Sequence, residues 1–146
     1  AGAFIVATGR GDFPNQVNNS VCFPGLLKGV LLARATRVTD GMAIASAHAL
    51  ADFAAARGIG PDNIMPTMEE TEVFPIQAAR VAEEAKRSGL ARRQITREEA
   101  YGRAKADAEA ARALYRRMQD EGFIPAPDPA LVRAALEEAL RETEGL

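Results

Sequence analysis

One short run decides what this chain can become. Phe4-Ile5-Val6-Ala7 is continuously apolar, the pattern of a fully buried strand, and predicts a strand over Ala3 to Thr8. A strand persists only within a sheet, yet no second run of this kind follows downstream. Beyond Gly25 the apolar residues recur at helical spacing instead. The expectation is a mostly α chain whose one strand completes a sheet lying elsewhere. With Ala1 where an initiator Met would stand, the chain is read as the C-terminal part of something longer.

Charge places the parts. Residues 1 to 66 hold five Lys or Arg and four Asp or Glu, against thirteen and sixteen in residues 67 to 146. The first part reads as interior and the second as exposed helices. A formal net charge of -2 offers no electrostatic reason for nucleic acid or an acidic membrane as partner. No apolar run approaches the roughly 20 residues of a membrane span, and no secretory pattern is present. Cys22 is the one cysteine, so an intrachain disulfide is excluded and a reducing, cytoplasmic setting is expected.

The strand leads into GRGDFPNQVNNSVCFPG, Gly9 to Gly25, which packs four uncharged amides into five residues: Asn15, Gln16, Asn18 and Asn19. Ligands of open α/β sheets sit beyond the carboxyl ends of strands, where this loop would lie. It is not a dinucleotide fingerprint, because Pro14 stands where the third glycine belongs. Arg10-Gly11-Asp12 and the formal sequon Asn18-Asn19-Ser20 would each need an exposed extracellular loop, which nothing else supports.

A helix is predicted from Gly25, with Pro24 at its first turn and Leu26, Leu27, Val30 and Leu31 apolar. Its N-terminus would face the amide loop and favour an anion. Thr39 or Asp40 caps a second helix to about Arg57, with Met42, Ile44, Ala47, Leu50, Ala51 and Ala54 on one face. His48 has no acidic or cysteine partner at helical spacing and reads as structural, as does Cys22 between Val21 and Phe23. Gly60-Pro61-Asp62 predicts a turn, and the carboxylates of Glu69, Glu70 and Glu72 read as solvated surface rather than a metal site. A third helix spans about Ile76 to Ser88, with Arg80 to Glu84 and Glu83 to Arg87 pairs on its polar face. Thr96 with Glu99 forms a capping box for a helix reaching Asp120, whose Tyr101, Ala104, Ala108, Ala111, Tyr115 and Met118 make a heptad-like seam. A last helix begins at Asp128-Pro129.

Four stretches together resemble the malic enzymes of bacteria and archaea: Thr8-Gly9-Arg10, FPNQVNN from Phe13 to Asn19, CFPG from Cys22 to Gly25, and ARATRVTDGM from Ala33 to Met42. The likeness is dense over Phe4 to Ala56, looser to about Arg93, and fades thereafter. It implies an α/β parent whose Rossmann-type NAD(P)-binding domain ends within residues 1–66, followed by a helical extension over 67–146 that packs on the rest of the enzyme or on a second subunit. It implies malate as substrate, NAD or NADP as cofactor, Mg or Mn as metal, and a homodimer. The family's catalytic tyrosine and lysine, its acidic metal ligands and its Gly-rich fingerprint match nothing here, so no catalytic or metal-ligating residue is assigned and the chain alone is expected to be inert.

The resemblance carries the family's paired asparagines onto Asn18 and Asn19, at the junction of malate and nicotinamide. An amide donates to a carboxylate, accepts from a hydroxyl and stays neutral while charge moves nearby. Asn18 is assigned to cofactor and substrate and Asn19 to substrate; the alternative for either is to hold the loop through backbone groups. Thr8 and Gly9 are assigned to the cofactor through backbone atoms, and Asn15 and Gln16 to the structure of the loop. Two readings of other classes stand beside this one, a free-standing helical interaction module using the seam, and a transferase site binding a phosphate ester at the helix start.

Overall fold

The computed structural model describes residues 2–123, in which four helices follow one irregular segment: α1 (Asn19–Ala33), α2 (Asp40–Arg57), α3 (Val73–Arg87) and α4 (Arg97–Asp120). Two compact units divide the chain, Ala1–Asp107 and Ala108–Leu146. The first holds α1 to α3 and the opening turns of α4. In the second, the described part of α4 leaves Ala111 and Tyr115 exposed and Ala108 and Met118 half-buried along the expected seam. The helix expected from Asp128 lies outside the described residues.

The expected strand does not form in this chain. Phe4 and Val6 are 82% and 59% exposed, and the pairing nearest them among the described residues is a single parallel bridge between Thr8 and Gln16. An apolar run without a partner edge has nowhere to place its ladder of hydrogen bonds. The mostly α reading holds, since no strand exists among the described residues.

Helix α1 starts six residues earlier than Gly25. Asn18 is extended (φ -99°, ψ 127°) and its side-chain oxygen accepts from the Ser20 N–H at 2.9 Å, so Asn18 is the N-cap and Pro24 lies inside the helix. Pro24 removes one rung of the helical ladder. The turn before it is kept by the cap and by Val21, which is 2% exposed. At the far end Arg34 is left-handed (φ 49°), and the N–H groups of Arg34 and Ala35 close on the carbonyls of Leu31 and Val30.

The core lies between α1 and α3, with α2 and the start of α4 completing it. Leu26, Leu32, Ala33, Met42, Val81, Ala85, Ile95 and Ala100 are all buried there. Its thinness comes from glycine: a β-carbon on Gly29 would lie 2.6 Å from both the Ala78 carbonyl and Val81 Cβ, so the backbones of α1 and α3 nearly touch. On α2 the buried face is Met42, Ser46, Ala49, Leu50 and Ala54, whereas Ile44, Ala47 and Ala51 are not buried on it. In so alanine-rich a helix the apolar residues encircle the axis, and periodicity loses its contrast.

Two polar groups sit in this core. Gln77 and Ser46 are fully buried and joined at 2.9 Å, with Cys22 Sγ 3.6 Å from the same hydroxyl. The ion pairs also differ from those expected along α3. Arg80 reaches Asp52 of α2 at 2.6 Å, and Arg87 forks onto Glu84 at 2.7 and 2.8 Å. The capping box of α4 forms as expected, Glu99 accepting from Thr96 N–H at 3.0 Å and Thr96 Oγ1 from Glu99 N–H at 3.1 Å. No described helix is long and apolar enough to cross a membrane.

Candidate functional site

The amide loop and the segment after α2 enclose a cleft of about 400 Å³. One wall is Phe13, Asn15, Gln16 and Asn18; the other runs from Asp62 to Glu69. Val21 and Met65, which also pack in a small apolar cluster with Leu50 and Val73, line it as well. The volume is that of a small-ligand site, and its walls combine apolar side chains with neutral amides and the carboxylates of Asp62 and Glu69.

Each wall is fixed by local chemistry. Asn15 is left-handed (φ 57°) and only 7% exposed. Its Nδ2 donates to the Val6 and Pro61 carbonyls at 3.0 and 2.6 Å, and its Oδ1 accepts from Ile64 N–H at 2.8 Å. Asparagine tolerates that backbone better than other side chains. Gln16 Nε2 reaches the Gly9 carbonyl at 3.4 Å. Both residues structure the loop, as the sequence reading has them.

The opposite wall is tied to the end of α2. Arg57 bonds Glu70, Asn63 and the Met65 carbonyl, the last at 3.2 Å. Glu70 also accepts from Thr67 N–H at 2.8 Å. Burial pushes the Glu70 carboxyl up, but the Thr67 and Arg57 contacts outweigh it and hold the group below its ordinary range. Thr67 likewise holds Glu69 down. No group of three His, Cys, Asp or Glu residues converges to hold a metal among the described residues.

The assigned residues separate in space. Asn18 lines the cleft, with its oxygen turned onto Ser20 N–H as the α1 cap. Asn19, the first residue of α1, is exposed and is not part of the lining; nor are Thr8 and Gly9. The Thr8 carbonyl accepts from Val17 N–H at 2.7 Å, which fixes the base of the loop. Arg10 and Asp12 close on each other, with Arg10 stacked 5.0 Å over the Phe13 ring, so this tripeptide is satisfied internally. The helix start expected after Pro24 as an anion site is not there, because α1 begins at Asn19.

Residues beyond Gln16 and Asn18 contribute in ways that sequence patterns do not reveal. Thr67, Met68 and Glu69 face the cleft from what reads as a solvated acidic loop, and the turn at Gly60-Pro61 is the one signal nearby. A larger groove of about 600 Å³ passes His48, Arg80, Lys86, Arg87 and Arg97. Its three guanidinium groups already pair with Asp52, Glu84 and Glu83, so it offers little free positive charge.

Comparison with known proteins matches residues 4–86 to the family described as malic enzyme, NAD binding domain. The bifunctional malic/malolactic enzyme of Bacillus subtilis is 41% identical over 99 residues, covering 68% of this chain and 24% of the relative. The NADP-dependent malic enzyme of Halomonas elongata is 40% identical over 103 residues, covering 61% and 24%. The crystal structure of Entamoeba histolytica malic enzyme superposes with a TM-score of 0.86 at 49% identity, over 97% of this chain and 29% of that one. The chain thus spans about a quarter of the length of these curated relatives.

Proposed function

Given that this chain belongs to the malic enzyme family through its NAD-binding domain, we propose that it is one wall of the active site of an enzyme that oxidises and decarboxylates malate to pyruvate and CO2 with reduction of NAD or NADP. The observation that carries this reading is the cleft at the amide loop, lined by Asn18 within the matched residues. In the complete protein Ala3 to Thr8 pairs with a Rossmann-type sheet, which covers the exposed Phe4 and Val6. Residues 1–66 end the nucleotide domain and the chain from residue 67 extends it, with α3 packing back on α1 and the family match running through α3 to residue 86. The protein acts in the cytoplasm as a homodimer, with malate as its small-molecule partner.

The apolar and amide part of the lining, Phe13, Val21, Met65, Gln16 and Asn18, suits a nicotinamide ring, which when bound accepts the hydride, while Asp62 and Glu69 make the far wall acidic. The lining does not suit Mg or Mn, because no carboxylate cluster converges among the described residues; the metal ligands and the acid and base groups belong to sequence outside this chain. What this chain contributes is orientation. The Asn18 oxygen is engaged as a helix cap, which leaves its NH2 group to donate to a malate carboxylate or to the nicotinamide carboxamide. Thr8 and Gly9 act from the loop base once the sheet brings the cofactor against them, and Asn19 meets the substrate from the helix start. Holding two reactants in line is worth several kcal/mol, roughly a hundredfold or more in rate.

A free-standing helical module leaves both the cleft and the matched residues without a use. The test is kinetic, on the complete, metal-loaded protein. Asn18→Ala lowers malate turnover at least about tenfold. Asn18→Ser keeps a good N-cap and loses the amide donor, so it separates the two roles. Normal turnover and malate KM in Asn18→Ser would remove the amide from the site; no malate-dependent reduction by the unaltered protein would remove the activity.

A further inference from the structure

Asn15 spends its entire side-chain amide on backbone. Its partners lie in two stretches far apart in sequence, Val6 before the loop and Pro61 and Ile64 after α2, at 3.0, 2.6 and 2.8 Å. Thr8 N–H adds a contact to the Asn15 carbonyl at 3.4 Å. The residue is buried and left-handed, so backbone and side chain are both committed. Asn15 itself stands on one wall of the cleft, with Asn18 three residues further along it, and its bonds to Pro61 and Ile64 tie that wall to residues interleaved with the Asp62, Asn63 and Met65 of the other. Moving the Pro61 to Glu69 stretch therefore changes the gap that Asn18 faces.

We propose that Asn15 is a positioning residue that sets the width of this cleft, and that the Asp62 to Glu69 stretch is thereby the second wall of the malate and nicotinamide site. The proposal rests on the malic enzyme reading above. Thr67 and Glu69 stand on that wall. Glu69, whose carboxyl Thr67 holds low, keeps negative charge there and disfavours a dianion except where Asn18 draws it.

Asn15→Gly deletes the three side-chain bonds while remaining at ease at φ 57°, so it isolates the clamp from the backbone conformation. In the complete protein its Ile64 amide exchanges with deuterium at least about tenfold faster than in the unaltered protein, while core amides such as that of Met42 keep their rate. Malate KM rises about fivefold or more. A merely structural loss shrinks the active fraction and lowers apparent kcat, but leaves KM in place. Asn15→Asp serves if the glycine variant does not fold. It retains the Ile64 acceptor but turns a carboxylate onto the Val6 and Pro61 carbonyls, and gives a raised KM with Ile64 still protected. In Asn15→Gly, faster Ile64 exchange with an unchanged KM overturns the second-wall assignment and unchanged exchange overturns the clamp; in Asn15→Asp, an unchanged KM overturns the second-wall assignment and loss of Ile64 protection overturns the clamp. Failure of the underlying reading looks different: the unaltered protein then reduces no NAD(P) with malate, and the clamp stands or falls on Ile64 exchange alone.

Discussion

Adding one methyl group at Gly29 should separate packing from helix propensity. In an exposed helix interior, glycine to alanine stabilises by about 0.5 to 1 kcal/mol, because alanine has less backbone entropy to lose. Gly102 in α4 meets that condition, since a β-carbon there would meet nothing within 4 Å. At Gly29 the same atom would stand 2.6 Å from a backbone oxygen and 2.6 Å from Val81 Cβ. Carbon contacts rest at about 3.5 to 4.0 Å, so α1 and α3 must part by roughly 1 Å. Overpacking of this kind costs about 1 to 3 kcal/mol, and the upper half applies because a carbonyl in a helix cannot rotate away. Subtracting the propensity gain leaves Gly29→Ala about 1 to 2.5 kcal/mol less stable, and Gly102→Ala slightly more stable. Urea denaturation followed by circular dichroism measures both. Equal gains at the two positions would refute the close approach of α1 and α3.

Two further outcomes follow from the same contacts. Thr96→Ala removes one half of the reciprocal cap of α4 and costs about 1 kcal/mol, visible as a lower urea midpoint, whereas Thr96→Ser restores most of it. Glu70 has its carboxyl held below the unfolded value near about 4.3, so its contribution is complete above that pH and is lost as pH falls through the lower, folded value. Glu70→Gln should therefore make the acid limb of a stability profile shallower below about 4.3, with Glu69 and Asp12, also held low, supplying the slope that remains; an unchanged limb would show that Glu70 is not held by Arg57 and Thr67.

What can be read from the chain divides by how far the deciding atoms lie apart. The Thr96–Glu99 box and the limits of α2 depend on neighbours within a turn, and both form as expected. The start of α1 is harder to place because two local rules compete: proline marks a first turn, and asparagine caps one. Assigning Asn18 to a ligand hides its second role as that cap. The strand fails for a different reason, since its ladder needs another strand that these residues do not supply. Arg80 pairs across to Asp52 rather than along its own helix, and periodicity carries no information about such a partner. Gln77 and Ser46 are invisible because an apolar pattern cannot flag a polar residue that the core encloses. In the candidate site, Asn18 can be found from its motif, while the acidic loop opposite lies on the cleft through bonds to Asn15 and Arg57, 46 and 8 residues away in sequence, that no local pattern announces.

The facing pair of Gly25 and Gln77 also restricts the order in which this interface can evolve. A β-carbon at 25 would collide with Gln77 Cβ, an atom that every residue except glycine possesses. A larger residue can therefore enter α1 only after position 77 has itself become glycine. That intermediate strips Ser46 of its 2.9 Å amide donor and weakens α3, while the opposite order begins with a collision. Both single steps descend, and only the completed exchange could recover. Lineages carrying this pair should keep it or change both positions together, so the two helices are inherited as one character.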